Sequence, residues 1–228
     1  MSHSKSESTK AWAIWIPTGD EYASMVPLYD ESTEMPVLCG LCARTTIERL
    51  LVEWDDGSDV VGDFVDAMGR IVVQSRVANR LLKHFTGFKK GAVEMYDHPN
   101  LRLPKRVTRR TARRVWLPYD GPKLCELVIS REVPLHPKST VEIEFVCRLC
   151  GRIQCKAFLG VAEKSLEKTI RRKQGKGLFF RKQDLKGSDL FRPKCTGWNL
   201  CTDRAKQFMR KEGYTNIEFL EVGDILGE

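Results

Sequence analysis

Four of the eight cysteines form two Cys-x-x-Cys pairs, Cys39-Gly40-Leu41-Cys42 and Cys147-Arg148-Leu149-Cys150, in a chain with four histidines. Two thiolates separated by two residues can both reach one ion from a single tight turn. Zinc takes four such ligands tetrahedrally, so each pair supplies half of a four-cysteine site. The pairs stand much further apart than the halves of a compact finger, and the ion would join distant parts of the chain. All-cysteine ligation leaves no position for a reactive water, so the expected metal, one Zn2+ with thiols to spare for a second, is structural. Cys195 and Cys201 are alternative partners for the second pair. The competing readings are small buried hydrophobes, a disulfide framework, which a chain of 228 residues does not need, and a redox pair.

Catalytic constellations are missing. There is no Gly-rich phosphate loop, no Gly-x-Ser-x-Gly elbow and no His-Glu-x-x-His helix, and the expectation is a non-enzyme. Asp55, Asp56, Asp59, Asp63 and Asp66 form an acidic run in which a divalent-ion site is conceivable, with solvated loop carboxylates as the default.

The formal net charge is +8, and it is unevenly spread. Arg102, Lys105, Arg106, Arg109, Arg110, Arg113 and Arg114 occur without an intervening acid, at spacings that would align them on one helical face. Of these, Arg102, Arg106, Arg109, Arg110 and Arg113 are the candidate contacts to an anionic partner. A second basic stretch, Lys168 to Lys182, contains Phe179 and Phe180, and cations interleaved with aromatics are a feature of nucleic-acid sites. Solvated faces of a basic protein, or a surface for an acidic protein, are the plainer reading.

The elements that must position these residues are legible in part. Ala11 to Ile16 is an apolar, aromatic run suited to a strand. Ile47 to Trp54, Arg70 to Gln74, Ala92 to Tyr96, Leu124 to Ser130, Thr140 to Val146 and Ile217 to Val222 read as further strands. Ser75 is placed to cap a helix with Val77, Leu81, Leu82 and Phe85 on one face and Gly87 as its stop. Thr202 or Asp203 would cap a second helix, carrying Ala205, Phe208 and Met209 and closed by Gly213. The pattern predicts an α+β fold with a mixed or antiparallel sheet and short helices. It also suggests two lobes, 11–96 and 123–228, across a basic linker at 97–122, held together by the two-knuckle zinc site within one domain 11–228. Residues 1–10 read as a disordered polar tail, and no apolar run reaches the roughly 18 residues a membrane span needs. The expected location is the cytoplasm.

A wider set of segments carries a resemblance. The two Cys pairs, Gly62-Asp63-Phe64, Phe85-Thr86-Gly87-Phe88, Gly177-Leu178-Phe179, Gly187-Ser188-Asp189-Leu190-Phe191-Arg192, Cys201-Thr202-Asp203-Arg204 and Gly213-Tyr214-Thr215-Asn216-Ile217-Glu218-Phe219 are similar to the double-CXXCG motif proteins grouped as myxobacterial paralogues. The similarity spans nearly the whole chain. It departs from the family pattern at Ala43, where the glycine that should follow the first pair is missing; the second pair keeps its glycine, Gly151. Members of the family include immunity proteins of swarming-inhibition toxin systems. The resemblance therefore implies a protein that neutralises a cognate, contact-delivered toxin, encoded by a neighbouring gene. An inhibitor that imitates nucleic acid would be acidic, so a +8 chain better suits a toxin with an acidic surface. The alternative from a different class is a zinc-containing nucleic-acid-binding protein that uses the Arg stripe.

Overall fold

The computed structural model describes residues 8–17, 21–28, 37–39, 42–43, 49–148, 153–164 and 168–227, with the backbone alone for 37–39 and 42–43. The strands in the first half are β1 (Thr9–Trp15), β2 (Met25–Pro27), β3 (Val37–Cys39), β4 (Cys42–Ala43), β5 (Arg49–Trp54), β6 (Phe64–Ala67), β7 (Arg70–Gln74) and β8 (Phe88–Met95). The second half carries β9 (Leu124–Ile129), β10 (Glu132–Val133), β11 (Val141–Val146), β12 (Ile153–Phe158), β13 (Glu163–Lys164), β14 (Thr169–Ile170), β15 (Leu178–Arg181), β16 (Leu190–Pro193), β17 (Leu200–Thr202) and β18 (Glu218–Leu226). Three short helices, α1 (Ser75–Leu82), α2 (Lys182–Leu185) and α3 (Asp203–Lys211), punctuate them.

These strands build two six-stranded mixed sheets, ordered β10-β16-β17-β1-β18-β15 and β2-β5-β8-β9-β7-β6, and three separate two-stranded ladders, β3-β4, β11-β12 and β13-β14. The α+β expectation holds at this level. The sheets do not follow the division at the basic stretch. β1 lies inside the sheet built otherwise from the C-terminal half, and β9 pairs with β7 and β8 of the N-terminal half.

Side-chain alternation explains why the strands read as apolar runs: several are buried on both faces. In β7, Ile71 and Val73 enter the core shared by the two sheets, whereas Val72 enters the core on the far side of the second sheet. In β1, Trp12 and Ile14 face the shared core, while Ala11 and Ala13 face the outer core of the first sheet. Helices α1 and α3 add Val77, Ala78, Leu81, Ala205 and Met209 to the shared core. Thr202 caps α3 by accepting a hydrogen bond from the Ala205 amide, and Gly213 takes the left-handed φ of +68° that follows it.

Three local expectations need correction. Ser75 is the first helical residue, not the cap; Gln74 holds the capping position without a side-chain bond, and Leu82 on the expected apolar face is exposed. Gly87 does not stop α1, which ends at Leu82. It has a φ of +98°, and a side chain there would overlap the Leu190 carbonyl, so glycine serves a close crossing between the sheets. The polar tail is shorter than expected, because Thr9 and Lys10 are already strand, Lys10 being held by Asp224 at 2.8 Å and by Glu221.

The stretch 97–122, expected as a linker, packs Leu101, Val115 and Leu117 into the outer core of the second sheet. The Leu117 amide donates to the Leu101 carbonyl at 2.7 Å. This brings the two ends of the basic segment together and sends the residues between them outward as a loop. No helix forms across 102–114, so the arginines do not share a helical face. Pro104 prevents a helix from running unbroken through it from Arg102, and Thr108 and Thr111 tie the loop into a turn with their own hydroxyls.

Candidate metal centre and partner surface

Each Cys-x-x-Cys pair adjoins its own two-stranded ladder. In the β3-β4 ladder the backbones of Cys39 and Cys42 are cross-strand partners; Gly40 and Leu41 lie outside the described residues. Ala43 is extended and pairs with Val37, a conformation that does not need the absent glycine. In the β11-β12 ladder Val146 pairs with Ile153, and Cys147, which is 1% exposed, follows directly. Cys150 and Gly151 lie outside the described residues, as do the side chains of Cys39 and Cys42. By residue type, four cysteine thiols are the donor set that zinc takes in a closed structural site; of the four, the side chain of Cys147 alone falls within the described residues.

The remaining cysteines separate by environment. Cys125 and Cys201 line the shared core. Burial pushes both thiols up, that of Cys125 against a hydrogen bond with Ser75, and disfavours the thiolate a metal requires. Cys195 and Cys155 touch. Burial and the neighbouring Cys155 sulfur push the Cys195 thiol up to about 12. Nothing in the spacing of these two residues announced the contact, since β12 and the loop after β16 meet only through the fold. Among the described residues no three Cys, His, Asp or Glu side chains converge as a metal site.

The acidic run is used elsewhere. Asp56 and Asp59 pair with Arg114 and Arg113, the latter at 2.8 Å, and Asp63 pairs with Arg76. Asp66 accepts from the amides of Met68 and Gly69 in the β6-β7 turn. Of the histidines, His98 caps a 3-10 turn through Nδ1, and His136 accepts from the Lys138 amide through Nδ1.

No protein-family model matches the chain, and no curated protein matches it.

The basic residues divide into used and unused charge. Arg102 is held by Asp97, Arg113 by Asp59 and Arg114 by Asp56. Lys105, Arg106, Arg109 and Arg110 are exposed and form no ion pair among the described residues; they share the loop with Leu103 and Val107, which are 57% and 63% exposed. Within the second basic stretch Phe179 and Phe180 are buried strand residues, so they provide no platform for stacked bases. Arg172 there is a structural ion. Its side chain is 6% exposed, bonds Glu221 at 2.9 Å and Asp224, and lies over the Phe179 ring.

Burial opposes the charge on Asp224, but hydrogen bonds from Arg172 and Lys10 outweigh it and hold the carboxyl below its ordinary range. A depressed carboxyl contributes stability above its unfolded pKa and loses it as pH falls through the folded value. Asp224→Asn is therefore expected to cost about 3 kcal/mol near neutrality, because it leaves Arg172 buried with a weakened partner. The deficit should shrink as denaturant unfolding is repeated from about pH 6 down to about pH 3. Equal deficits at both ends would show that the pair does not carry the effect.

Proposed function

We propose that this chain is an immunity-type protein that binds and neutralises a cognate contact-delivered toxin, with zinc held by Cys39, Cys42, Cys147 and Cys150 as a structural cross-link. The observation that supports binding to a protein is the 103–110 loop, where four unpaired cations alternate with two exposed aliphatic side chains. A mixed apolar and cationic patch suits an acidic protein surface, which desolvates the apolar residues while steering through charge. A nucleic-acid site would draw on the same cations, but the aromatics that accompany the second basic stretch are buried. The resemblance carried by the motif segments supplies the toxin as the kind of partner.

The test is co-expression with the product of the adjacent gene, scoring host survival and co-purification together. The wild-type chain should rescue and co-purify. Reversing Lys105, Arg106, Arg109 and Arg110 to Glu should weaken the complex by about 100-fold or more, with melting temperature and metal content unchanged. A toxic neighbour that the wild type neither binds nor neutralises would refute the reading. Duplex or single-stranded affinity that falls steeply with salt would replace it with nucleic-acid binding.

A further inference from the structure

A cavity of about 520 Å3 opens between the ends of β1 and β18, the β6-β7 turn and the loop from Gly197 to Asn199. Its walls are mainly apolar. Trp15, Leu220 and the tilted pair Phe158 and Trp198, whose ring centroids are 4.7 Å apart, are among the lining residues. Trp15 remains 37% exposed.

Four charged side chains also line the space, two of each sign, and both cations are engaged by carboxylates that do not line it. Arg70 is committed to Glu126 through two hydrogen bonds of 2.8 and 2.7 Å, and Lys164 is committed to Glu218. Asp66 meets only two backbone amides, and Glu163 makes no ion pair or hydrogen bond among the described residues. Once each cation is paired with its own carboxylate, two negative charges are left over, on a protein that is strongly positive elsewhere.

We propose that this cavity binds a monocation on an apolar stem, an alkyl- or arylalkyl-ammonium or guanidinium group. The stem lies against Trp15, Trp198 and Phe158, and the cationic head is met by Asp66 and Glu163. Indole faces attract cations through their quadrupole, and a partly dry wall strengthens both that attraction and the ion pair. Burial raises the Asp66 carboxyl, with the turn amides lowering it only in part, which is the behaviour of a carboxylate short of a cation. The same chemistry occurs in a free amine and in a lysine or arginine side chain of a partner protein. The inference does not depend on toxin binding, which engages the 103–110 loop.

The full-length, metal-loaded protein is titrated with 4-phenylbutylammonium, 4-phenylbutanol and 4-phenylbutyrate, following the indole N–H resonances by NMR. The ammonium should bind saturably and at least about tenfold more tightly than the alcohol, with the carboxylate weaker still. Glu163→Gln changes an exposed side chain, and Asp66→Asn keeps an acceptor for the turn amides, so both should fold; each should weaken the ammonium by about three- to tenfold. Nα-acetyl-lysine amide and Nα-acetyl-arginine amide separate the sources. Saturable binding of these assigns a partner's side chain, whereas binding of the free amine alone assigns a small ligand. The proposal is overturned if ammonium and alcohol bind equally, if neither binds up to about 10 mM, or if both variants leave the ammonium affinity unchanged.

Discussion

On the proposed four-cysteine site, a Cys147→Ser, Cys150→Ser double variant should bind no zinc and melt about 10 °C below the wild type. The magnitude follows from what the ion is asked to do. The proposed ion would join two ladders from distant parts of the sequence, β3-β4 with Cys39 and Cys42 paired across it and β11-β12 with Cys147 following it. Closing a long loop is worth about 3–5 kcal/mol by the argument used for disulfides, and about 2–4 °C accompanies each kcal/mol in a protein of this size. Metal content, measured on protein purified without chelator, and calorimetry read the two effects. Cys39→Ser with Cys42→Ser should reproduce both losses if one ion bridges the pairs. If the ion instead drew on the touching thiols of Cys155 and Cys195, serine at those two positions would release it and the first pair would be dispensable. A double variant that keeps both its melting temperature and its metal would end the four-cysteine assignment.

Several of the segments that carry the resemblance are partners of one another. Gly62-Asp63-Phe64 is laced to Tyr214-Thr215-Asn216: the Asp63 amide donates to Thr215 Oγ1 at 2.9 Å, the Thr215 amide returns a bond to the Asp63 carboxylate at 3.0 Å, and Asn216 donates to the Phe64 carbonyl. Gly62 has no room for a side chain beside the Asn216 Cβ. A second brace centres on buried Asp189, which accepts from the Thr202 hydroxyl and from Arg204, while Arg204 also covers the Phe85 ring at 4.9 Å. Asp203 holds the Trp12 indole N–H and the Lys10 amide. These motifs therefore maintain the joint between the two sheets. The 103–110 loop, which the proposed partner would engage, lies outside these motifs.

How much of this was legible depended on whether the signal was local. β1, β5, β7 and β9 announce themselves through apolar runs, β11 through the alternation Val-Glu-Ile-Glu-Phe-Val, and α3 through the Thr202 cap, spaced apolar residues and Gly213. Signals that depend on distant neighbours misled. The arginines from 102 to 114 have helical spacing, yet the pairing of Leu101 with Leu117 and the presence of Pro104 make the segment a loop, and acids from 56 to 97 neutralise three of the seven cations. Phe179 and Phe180 lie among cations in the sequence, but the parallel pairing of β15 with β18 puts them inside. The Cys155–Cys195 contact and the cavity beside Trp15 each join segments from different parts of the chain and have no signature in any one of them.

Gly223→Ala should be among the most damaging single substitutions in the protein, costing about 3 kcal/mol or more in unfolding experiments. Gly223 lies in β18 opposite both Ala11 and Leu178, at the point where the β1-β18 register slips: Ala11 faces Gly223, whereas Trp12 faces Glu221. The slip leaves an extra residue on β18, and such a bulge bends the strand toward its other neighbour. A methyl group on Gly223 would fall on the Leu178 carbonyl oxygen. That obstacle is backbone, so no rotamer change relieves it. Relief requires β15 to move away from β18, which would withdraw Leu178 and Phe180 from the outer core of the first sheet and strain the Arg172 bonds to Glu221 and Asp224. Gly175→Ala is the matched control. Its φ is left-handed, +70°, which that of Gly223 is not, and it meets nothing around it, so its loss should stay near the conformational cost of about 1 kcal/mol. Hydrogen exchange should show β15 amides losing protection in Gly223→Ala while β7 and β9 keep theirs. Equal stability of the two variants would mean that β15 yields freely and that the edge of the first sheet is not held where the β18 bulge places it.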